Sequence, residues 1–154
     1  MEMREGIFDD PQVVALLTLH ADGMLANSPV DKCHFLDLSG LQAADVTFFT
    51  LWDGEALVAM GALRRHDAEL GEIKSMRTIP ARLGEGHART MLAHIVVTAK
   101  RSGLRRLSLE TGSGAPFEPA LALYRNHGFV ACPPFGDYVA TDFNQFMSFD
   151  LEGN

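Results

Sequence analysis

The sequence predicts an α/β fold in which helices cover the faces of a mixed sheet. Two observations support this prediction: the first half is rich in hairpin signals, and strands alternate with helices in the second half. The predicted order is strand, two helices, three strands, helix, strand, helix and two strands. The chain has 154 residues, 47% of them hydrophobic, which suits one domain with a sizeable core.

The first predicted elements are a short strand at residues 3–8 and a helix from Pro11 to about Ala21. Asp10 is suited to cap this helix, and Pro11 is suited to its first position. The predicted buried side of the helix consists of Val13, Val14, Leu16 and Leu17. Phe35, Leu38 and Leu41 recur at three-residue spacing, which predicts a short helix within residues 29–42.

Three strands follow in the centre of the chain. Residues 46–52 and 56–63 are rich in β-branched, aromatic and apolar side chains, and Asp53-Gly54 between them is a strong hairpin signal. The third strand covers residues 70–79 and ends at Pro80.

The second half alternates helices and strands. A helical stripe within residues 86–102 comprises Met91, Leu92, Ile95, Val96 and Ala99. Gly103 lies where a helix C-terminus favours glycine. Residues 104–111 form the next strand, residues 118–127 a short helix, and residues 129–132 and 146–151 two final strands.

Composition and charge exclude several classes of function. The net charge of −7 argues against a nucleic-acid binder, which needs a basic face. No apolar run reaches the roughly 18 residues of a membrane span, and the N-terminus lacks the apolar core of a signal peptide. A cytoplasmic location is therefore expected. Cys33 and Cys132 are too few for a disulfide framework, so both are expected to be buried thiols.

The junction between residues 70–79 and the helix at 86–102 contains Gly84 and Gly86. A glycine loop that opens a helix directs backbone N–H groups outward beside the positive end of the helix dipole, and this arrangement binds phosphate. Arg82 and Arg89 would add charge-assisted contacts. The alternative is a simple tight turn. The dinucleotide fingerprint and the Walker loop are both excluded, because Arg89 replaces the third glycine and His87-Ala88 follow Gly86.

The chain from about residue 45 to 151 resembles the GNAT superfamily of acyl-CoA-dependent N-acetyltransferases. It is most similar to a branch of small acetyltransferases with the motifs EIKSMRT, LSLETGS, FEPA, LY, GF, PFGDY and FM. These motifs begin here at Glu72, Leu107, Phe117, Leu123, Gly128, Pro134 and Phe146. The resemblance implies one domain over residues 1–154. It also implies a mostly antiparallel sheet of six or seven strands with about four helices, splayed between the strands at 70–79 and 104–111.

The resemblance implies that the cofactor is acetyl-CoA. The implied cofactor-binding residues are Met76, Arg77, Thr78, Arg82, Leu83, Gly84, Glu85, Gly86, His87, Ala88, Arg89, Phe117 and Tyr124. Backbone groups of Met76 and Thr78 would pair with the pantetheine arm like an added strand. Leu83 departs from the family pattern of Arg or Gln, and Phe117 stands where the family often has Asn.

Acetyl transfer needs a base, an oxyanion donor and an acid for the leaving thiolate. By resemblance, Tyr124 is the acid, Glu72 the base and the backbone N–H of Met76 or its neighbour the oxyanion donor. Asp137 and Glu110 are alternative bases. Two simpler interpretations stay open: Tyr124 is a core aromatic, or Glu72 is a solvated carboxylate paired with Lys74 on the same strand face.

The predicted function is direct transfer of an acetyl group to a primary amine of a small molecule or peptide. The predicted acceptor-site residues are His34, Lys74, Glu110, Asp137 and Tyr138. Arg77 and Lys74 are also candidates to hold a substrate carboxylate. His34 and Asp37 are too few for a metal site, so no metal is expected. No nucleic acid or membrane partner is expected, and the resemblance implies a homodimer. The alternatives are a silent acyl-CoA-binding module and a nucleotide-binding protein.

Overall fold

A computed structural model of the chain describes residues 1–32, 34 and 36–152. One seven-stranded sheet has the order β1-β2-β3-β4-β5-β7-β6. Its strands are β1 Glu2–Glu5, β2 Val46–Asp53, β3 Ala56–Arg65, β4 Leu70–Thr78, β5 Arg106–Thr111, β6 Val130–Ala131 and β7 Gln145–Asp150. Every neighbouring pair is antiparallel except β4 and β5, which are parallel.

Helices cover both faces of this sheet: α1 Pro11–Asn27, α2 Leu38–Leu41, α3 His87–Arg101 and α4 Glu118–His127. The Asp10 carboxylate accepts a 2.8 Å hydrogen bond from the backbone N–H of Gln12 and so caps α1. Gly103 has a φ of 85° just after α3, the left-handed conformation with which many helices end. None of the helices in the described residues is long and apolar enough to cross a membrane.

The sheet opens between its two parallel strands. Residues 70–73 of β4 pair with residues 106–109 of β5, but the register stops there although both strands continue. A bulge in β4 accompanies the opening: the register with β3 shifts between Met60 and Ala62, and Ser75 opposite has a φ of 58°. Because the bulge inserts one residue, Lys74 and Arg77 lie on the same sheet face, where Arg77 contacts α1, whereas Ile73 and Met76 face the core under α3.

Two apolar cores lie on the two faces. Between the sheet and α3 and α4, the larger core includes Phe49, Ile73, Met91, Ile95, Leu107 and Tyr124. Between the sheet and α1 and α2, the smaller core includes Val13, Leu16, Phe48, Trp52 and Met60. Burial on this scale supplies the main driving force for folding.

The predicted fold class is confirmed, and the bounds of β2 to β7, α3 and α4 agree with prediction to within two residues. The strand predicted at 3–8 ends at Glu5, because Gly6 and Ile7 take positive φ values of 73° and 69°. Helix α1 continues to Asn27, beyond its predicted end. Of the short helix predicted within residues 29–42, α2 is present, but Phe35 lies outside the described residues.

Two burial predictions are wrong. Val14 is 48% exposed, because the buried stripe of α1 follows Val13, Leu16 and His20 and leaves Val14 on the solvent side of the helix. Cys132 is half-buried, since β6, which ends just before it, lies at the exposed edge of the sheet. Cys33 lies outside the described residues.

Candidate active site

A groove of about 500 Å³ runs from the end of β4 past the loop before α3 to helix α4. We call it the cradle groove. Most of the predicted cofactor-binding residues line it: Met76, Arg77, Thr78, Arg82, Leu83, Gly84, Gly86, His87, Ala88, Arg89 and Tyr124. Glu85 and Phe117 do not line it.

The glycine loop at the mouth of the groove has the backbone shape of an anion cradle. Gly84 and Gly86 have φ values of 79° and 87°, and no atom lies within 4 Å of a Cβ built on either residue. Gly86 is the N-cap of α3, whose first-turn N–H groups have no carbonyl partner within the helix. The positive end of α3 therefore lies at an open surface that a phosphate group can approach closely.

Among the charged side chains around the loop, Arg82 and His87 contact acidic residues, whereas Arg89 forms no ion pair with a described residue. Arg82 donates hydrogen bonds of 2.8 Å to Glu85 and 2.9 Å to Asp53, so both partners already neutralise it. His87 Nε2 lies 3.0 Å from the same Glu85 carboxylate. The Arg82 hydrogen bond, followed by that of His87, lowers the pKa of Glu85. Arg89 makes no ion pair with any described residue and lines the groove.

A second cavity of about 150 Å³, which we call the cleft, occupies the opening between β4 and β5. Side chains of α1, β4, β5 and α4 line it, including His20, Lys74, Arg77, Glu110 and Tyr124. Tyr124 lines the cradle groove as well. One tyrosine thus stands where the two cavities meet.

Tyr124 is buried, with 5% of its surface exposed, and its ring lies 5.7 Å from that of Phe129. Its hydroxyl has no hydrogen-bond partner among the described residues, although it lines two cavities. Burial raises the pKa of Tyr124 well above its usual value of 10. The hydroxyl is therefore protonated at neutral pH, and its proton is available to a ligand.

Glu72 lies at the centre of a buried hydrogen-bond network. Its carboxylate is 2.6 Å from the Tyr138 hydroxyl, 2.7 Å from His66 Nε2 and 3.2 Å from Lys74 Nζ. Lys74 Nζ also donates to the Tyr138 hydroxyl at 2.8 Å and to the His34 carbonyl at 3.0 Å. Glu72 is 1% exposed, so the solvated-carboxylate interpretation is wrong, whereas its pairing with Lys74 is present.

Sequence reasoning missed His66 in this network. It follows β3 directly, and the antiparallel register places Arg65 opposite Gly71, next to Glu72. The register of the β3–β4 hairpin could therefore have indicated it. Burial, followed by the charge of Glu72, raises the pKa of Tyr138, so its hydroxyl keeps its proton and donates to Glu72.

Glu110 is a second buried carboxylate, and it lines the cleft directly. The Asn144 side-chain amide donates to it, and His34 Nδ1 lies 3.5 Å from its Oε1 without hydrogen-bond geometry. Burial raises the pKa of Glu110 above its usual value, and the Asn144 hydrogen bond opposes this in part. A carboxylate with a raised pKa is a stronger proton acceptor at neutral pH.

A third cavity of about 400 Å³, the polar pocket, lies beside this network. Its walls are Asp31, Lys32, His34, Arg64, His66, Asp137, Tyr138, Val139, Thr141 and Asn144. The predicted acceptor-site residues thus divide: His34, Asp137 and Tyr138 line this pocket, whereas Lys74 and Glu110 line the cleft. Asp37 instead caps α2 through a 2.8 Å hydrogen bond from Gly40.

Comparison with known proteins assigns the chain to a family. Residues 11–129 match the model of the acetyltransferase (GNAT) family. An uncharacterized N-acetyltransferase of Escherichia coli (strain K12), YedL, is 45% identical over 141 residues, which cover 92% of this chain and 89% of that protein.

Solved structures share the fold at low sequence identity. An acyl-CoA N-acyltransferase of Klebsiella pneumoniae, described as putative, matches with a TM-score of 0.80 at 24% identity, covering 97% of both chains. A GNAT family acetyltransferase of Elizabethkingia anophelis, solved with acetyl-CoA bound, matches with a TM-score of 0.68 at 15% identity, again covering 97% of both.

The family match and the named relative define the class of protein as an N-acetyltransferase. The chain belongs to the GNAT family of acetyltransferases.

Proposed function

We propose that the protein transfers the acetyl group of acetyl-CoA directly to a primary amine of a small molecule or peptide. The observation that carries this proposal is the position of Tyr124, which lines both the cradle groove and the cleft. A donor in the groove and an acceptor in the cleft would therefore meet at one hydroxyl. The fold neighbour solved with acetyl-CoA supports the choice of donor.

The residues of the groove fit a coenzyme A molecule. Gly84, Gly86 and the first turn of α3 would hold the pyrophosphate through backbone N–H groups, with Arg89 adding charge. Beyond Ile73, β4 has no β5 partner, so its backbone at Met76 and Thr78 would pair with the amides of the pantetheine arm. When bound, acetyl-CoA supplies the activated acetyl thioester.

We assign the base within this proposal to Glu110 and a positioning role to Glu72. Glu72 is already bonded to three groups and lines none of the three cavities, whereas Glu110 lines the cleft. The raised pKa of Glu110 brings it closer to that of an amine and makes Glu110 a better proton acceptor than an ordinary carboxylate. Glu72 would hold Lys74, Tyr138 and His66 in place behind the cleft.

The bond changes then balance without a covalent enzyme intermediate. The amine nitrogen attacks the thioester carbonyl, the new C–N bond forms, and its surplus proton passes to Glu110. The backbone N–H of Met76 or its neighbour would stabilise the oxyanion. The C–S bond breaks with its electron pair on sulfur, and Tyr124 donates a hydrogen bond to the departing thiolate.

A thiol-release assay tests this proposal. Acetyl-CoA is incubated with the protein and a broad amine panel of amino acids, polyamines, aminoglycosides and short peptides, and free thiol is measured. The expected result is release that depends on one class of amine and saturates with both substrates. Coenzyme A binding by calorimetry, without amine-dependent release from any member, would instead identify a silent acyl-CoA-binding module.

A further inference from the structure

Arg77 lies at the wall of the cleft and is a cation without a partner in the described part of the chain. The bulge at Ser75 turns its side chain towards α1, where it is half-buried. Among the described residues, no carboxylate lies within ion-pair distance of it and no group accepts a hydrogen bond from it. By contrast, Lys32 and Arg64 of the polar pocket are paired with Asp142 and Asp45. A partly buried guanidinium without an acceptor gains strongly from binding an anion.

Helix α1 has a glycine where it lies against the Arg77 guanidinium. Gly23 lies inside the 17-residue helix, where glycine costs about 1 kcal/mol relative to alanine. A Cβ at Gly23 would lie 2.8 Å from Arg77 Nη2 and 3.3 Å from Nη1. The absence of a side chain at Gly23 therefore leaves room for the guanidinium against α1.

Other groups around Arg77 do not neutralise it. Burial, and then the charge of Arg77, lowers the pKa of His20 to about 4, so this histidine is neutral at physiological pH. His20 Nδ1 and Ser75 Oγ are both buried without a hydrogen-bond partner among the described residues, and both residues line the cleft. The cleft thus contains polar atoms that a small anion would satisfy.

The same cleft also contains a carboxylate. Glu110 lines it together with Arg77 and Tyr124. One free guanidinium and one proton-accepting carboxylate in a cavity of about 150 Å³ complement a small molecule that carries both an anionic and an amine end. The planar guanidinium favours a carboxylate, which it can bind through two parallel hydrogen bonds.

We propose that the acceptor is an amine that also carries a carboxylate, namely a free α-amino acid or a close analogue. Arg77 binds the carboxylate, and this contact places the amine against Glu110. The inference rests on the proposed function, and it names the substrate class of that reaction. Amines without a carboxylate, such as polyamines, leave Arg77 unpaired and are poorer acceptors.

The test compares each common α-amino acid with its α-amide in the thiol-release assay, with rates expressed per unprotonated amine. For the best acceptor, we expect the acid to exceed the amide in kcat/KM by about 10- to 100-fold, as a charge-assisted contact predicts. Arg77→Gln lowers the value for the acid much more than the value for the amide, so that the preference for the acid disappears. The matched variant Arg89→Gln removes the same charge from the cradle groove and affects both acceptors equally.

Three results would overturn the inference while the proposed function stands: equal rates for acid and amide, an equal loss for both in Arg77→Gln, or a best acceptor without a carboxylate.

A binding measurement separates the two proposals. The protein saturated with coenzyme A is titrated with N-acetyl amino acids and their amides. Carboxylate preference that disappears in Arg77→Gln supports the inference even without turnover, and absent or equal binding contradicts it.

Discussion

At the scale of single residues, the raised pKa of the Tyr124 hydroxyl has two opposing effects on catalysis. Its raised pKa keeps the proton in place, but it also makes transfer of that proton to a thiolate unfavourable, since a free thiol has a pKa of about 8.5. Tyr124 therefore stabilises the departing thiolate mainly as a hydrogen-bond donor. Such a bond to a charged group contributes about 1.5–3 kcal/mol.

For Tyr124→Phe we expect kcat to fall about 10- to 100-fold, with unchanged melting temperature and acetyl-CoA affinity. The ring and its contact with Phe129 are kept, so the fold is not disturbed. Steady-state kinetics and thermal unfolding measure both quantities. Tyr124→Ala is the control for packing, because its cavity costs about 3–5 kcal/mol of stability. Full turnover in Tyr124→Phe would leave Tyr124 with a core role alone.

The raised pKa of Glu110 makes a prediction about stability. The folded state holds this proton more tightly than the unfolded state, whose glutamate pKa is about 4.3. Between that value and the raised folded pKa, the folded state binds more protons, so the free energy of unfolding decreases as pH rises. This contribution is fully present below the unfolded pKa and is lost above the folded one.

Glu110→Gln removes this titration. We expect the stability of the variant, relative to the parent, to increase as pH rises from the unfolded pKa through the raised folded pKa of Glu110, and then to level off above it. Urea unfolding at a series of pH values measures it, and the difference between the two proteins cancels all other titrating groups. A difference that is constant with pH would show that Glu110 titrates alike in both states and would weaken its assignment as the base.

At the scale of elements, the glycine loop before α3 was predictable from the sequence, whereas the hydrogen-bond network around Glu72 was not. The reason is how far apart in the sequence the residues of each site lie. Residues 83–88 are contiguous, so their glycines and the following helix are visible together in the sequence. The network joins Glu72 and Lys74 of β4 to His66 before that strand and to the distant His34 and Tyr138. Its existence depends on tertiary packing and on strand register, which local patterns do not specify.

Helix α1 is a second case in which local sequence patterns do not specify the observed structure. Asp22-Gly23 is an ordinary turn signal, which favours a helix that ends near Ala21. The helix continues to Asn27, and Gly23 serves a tertiary contact with Arg77 instead of a turn. A glycine has two common reasons to occur, and the sequence alone does not distinguish them.

Gly86→Asp tests whether the glycine loop before α3 binds the pyrophosphate of coenzyme A. The carboxylate would repel pyrophosphate, and a φ of 87° disfavours any side chain, so affinity for coenzyme A should fall by at least about 2 kcal/mol, or more than about twentyfold. Calorimetric titration measures this. Gly103→Asp is the matched control, since Gly103 has a φ of 85°, equally open surroundings and a position at the opposite end of α3. Equal affinities in the two folded variants would remove the loop from the cofactor site.

At the scale of the whole molecule, the sheet consists of two parts that meet along one short parallel register. Strands β1 to β4 form one part and β5 to β7 the other, and residues 70–73 and 106–109 supply the register between them. Beyond it, the facing edges of β4 and β5 do not pair with each other. A pantetheine arm in this opening would bond to the edge of β4 and bridge the two parts.

This arrangement predicts a local pattern of amide hydrogen exchange. In the free protein, residues 76–78 pair with β3 on one side but have no β5 partner on the other. Amide groups on the unpaired side exchange quickly, since little structure must open. With coenzyme A bound, we expect exchange there to slow by at least about tenfold through the new backbone hydrogen bonds. Strand β1, at the far edge of the sheet, is the internal control and should change little.

Gly86→Asp at the same coenzyme A concentration should lose the protection, because the arm is positioned only when the pyrophosphate is held. Protection confined to residues 84–89 would show that the arm does not enter the opening, and the position of Tyr124 at the meeting of groove and cleft would then have no role in the transfer.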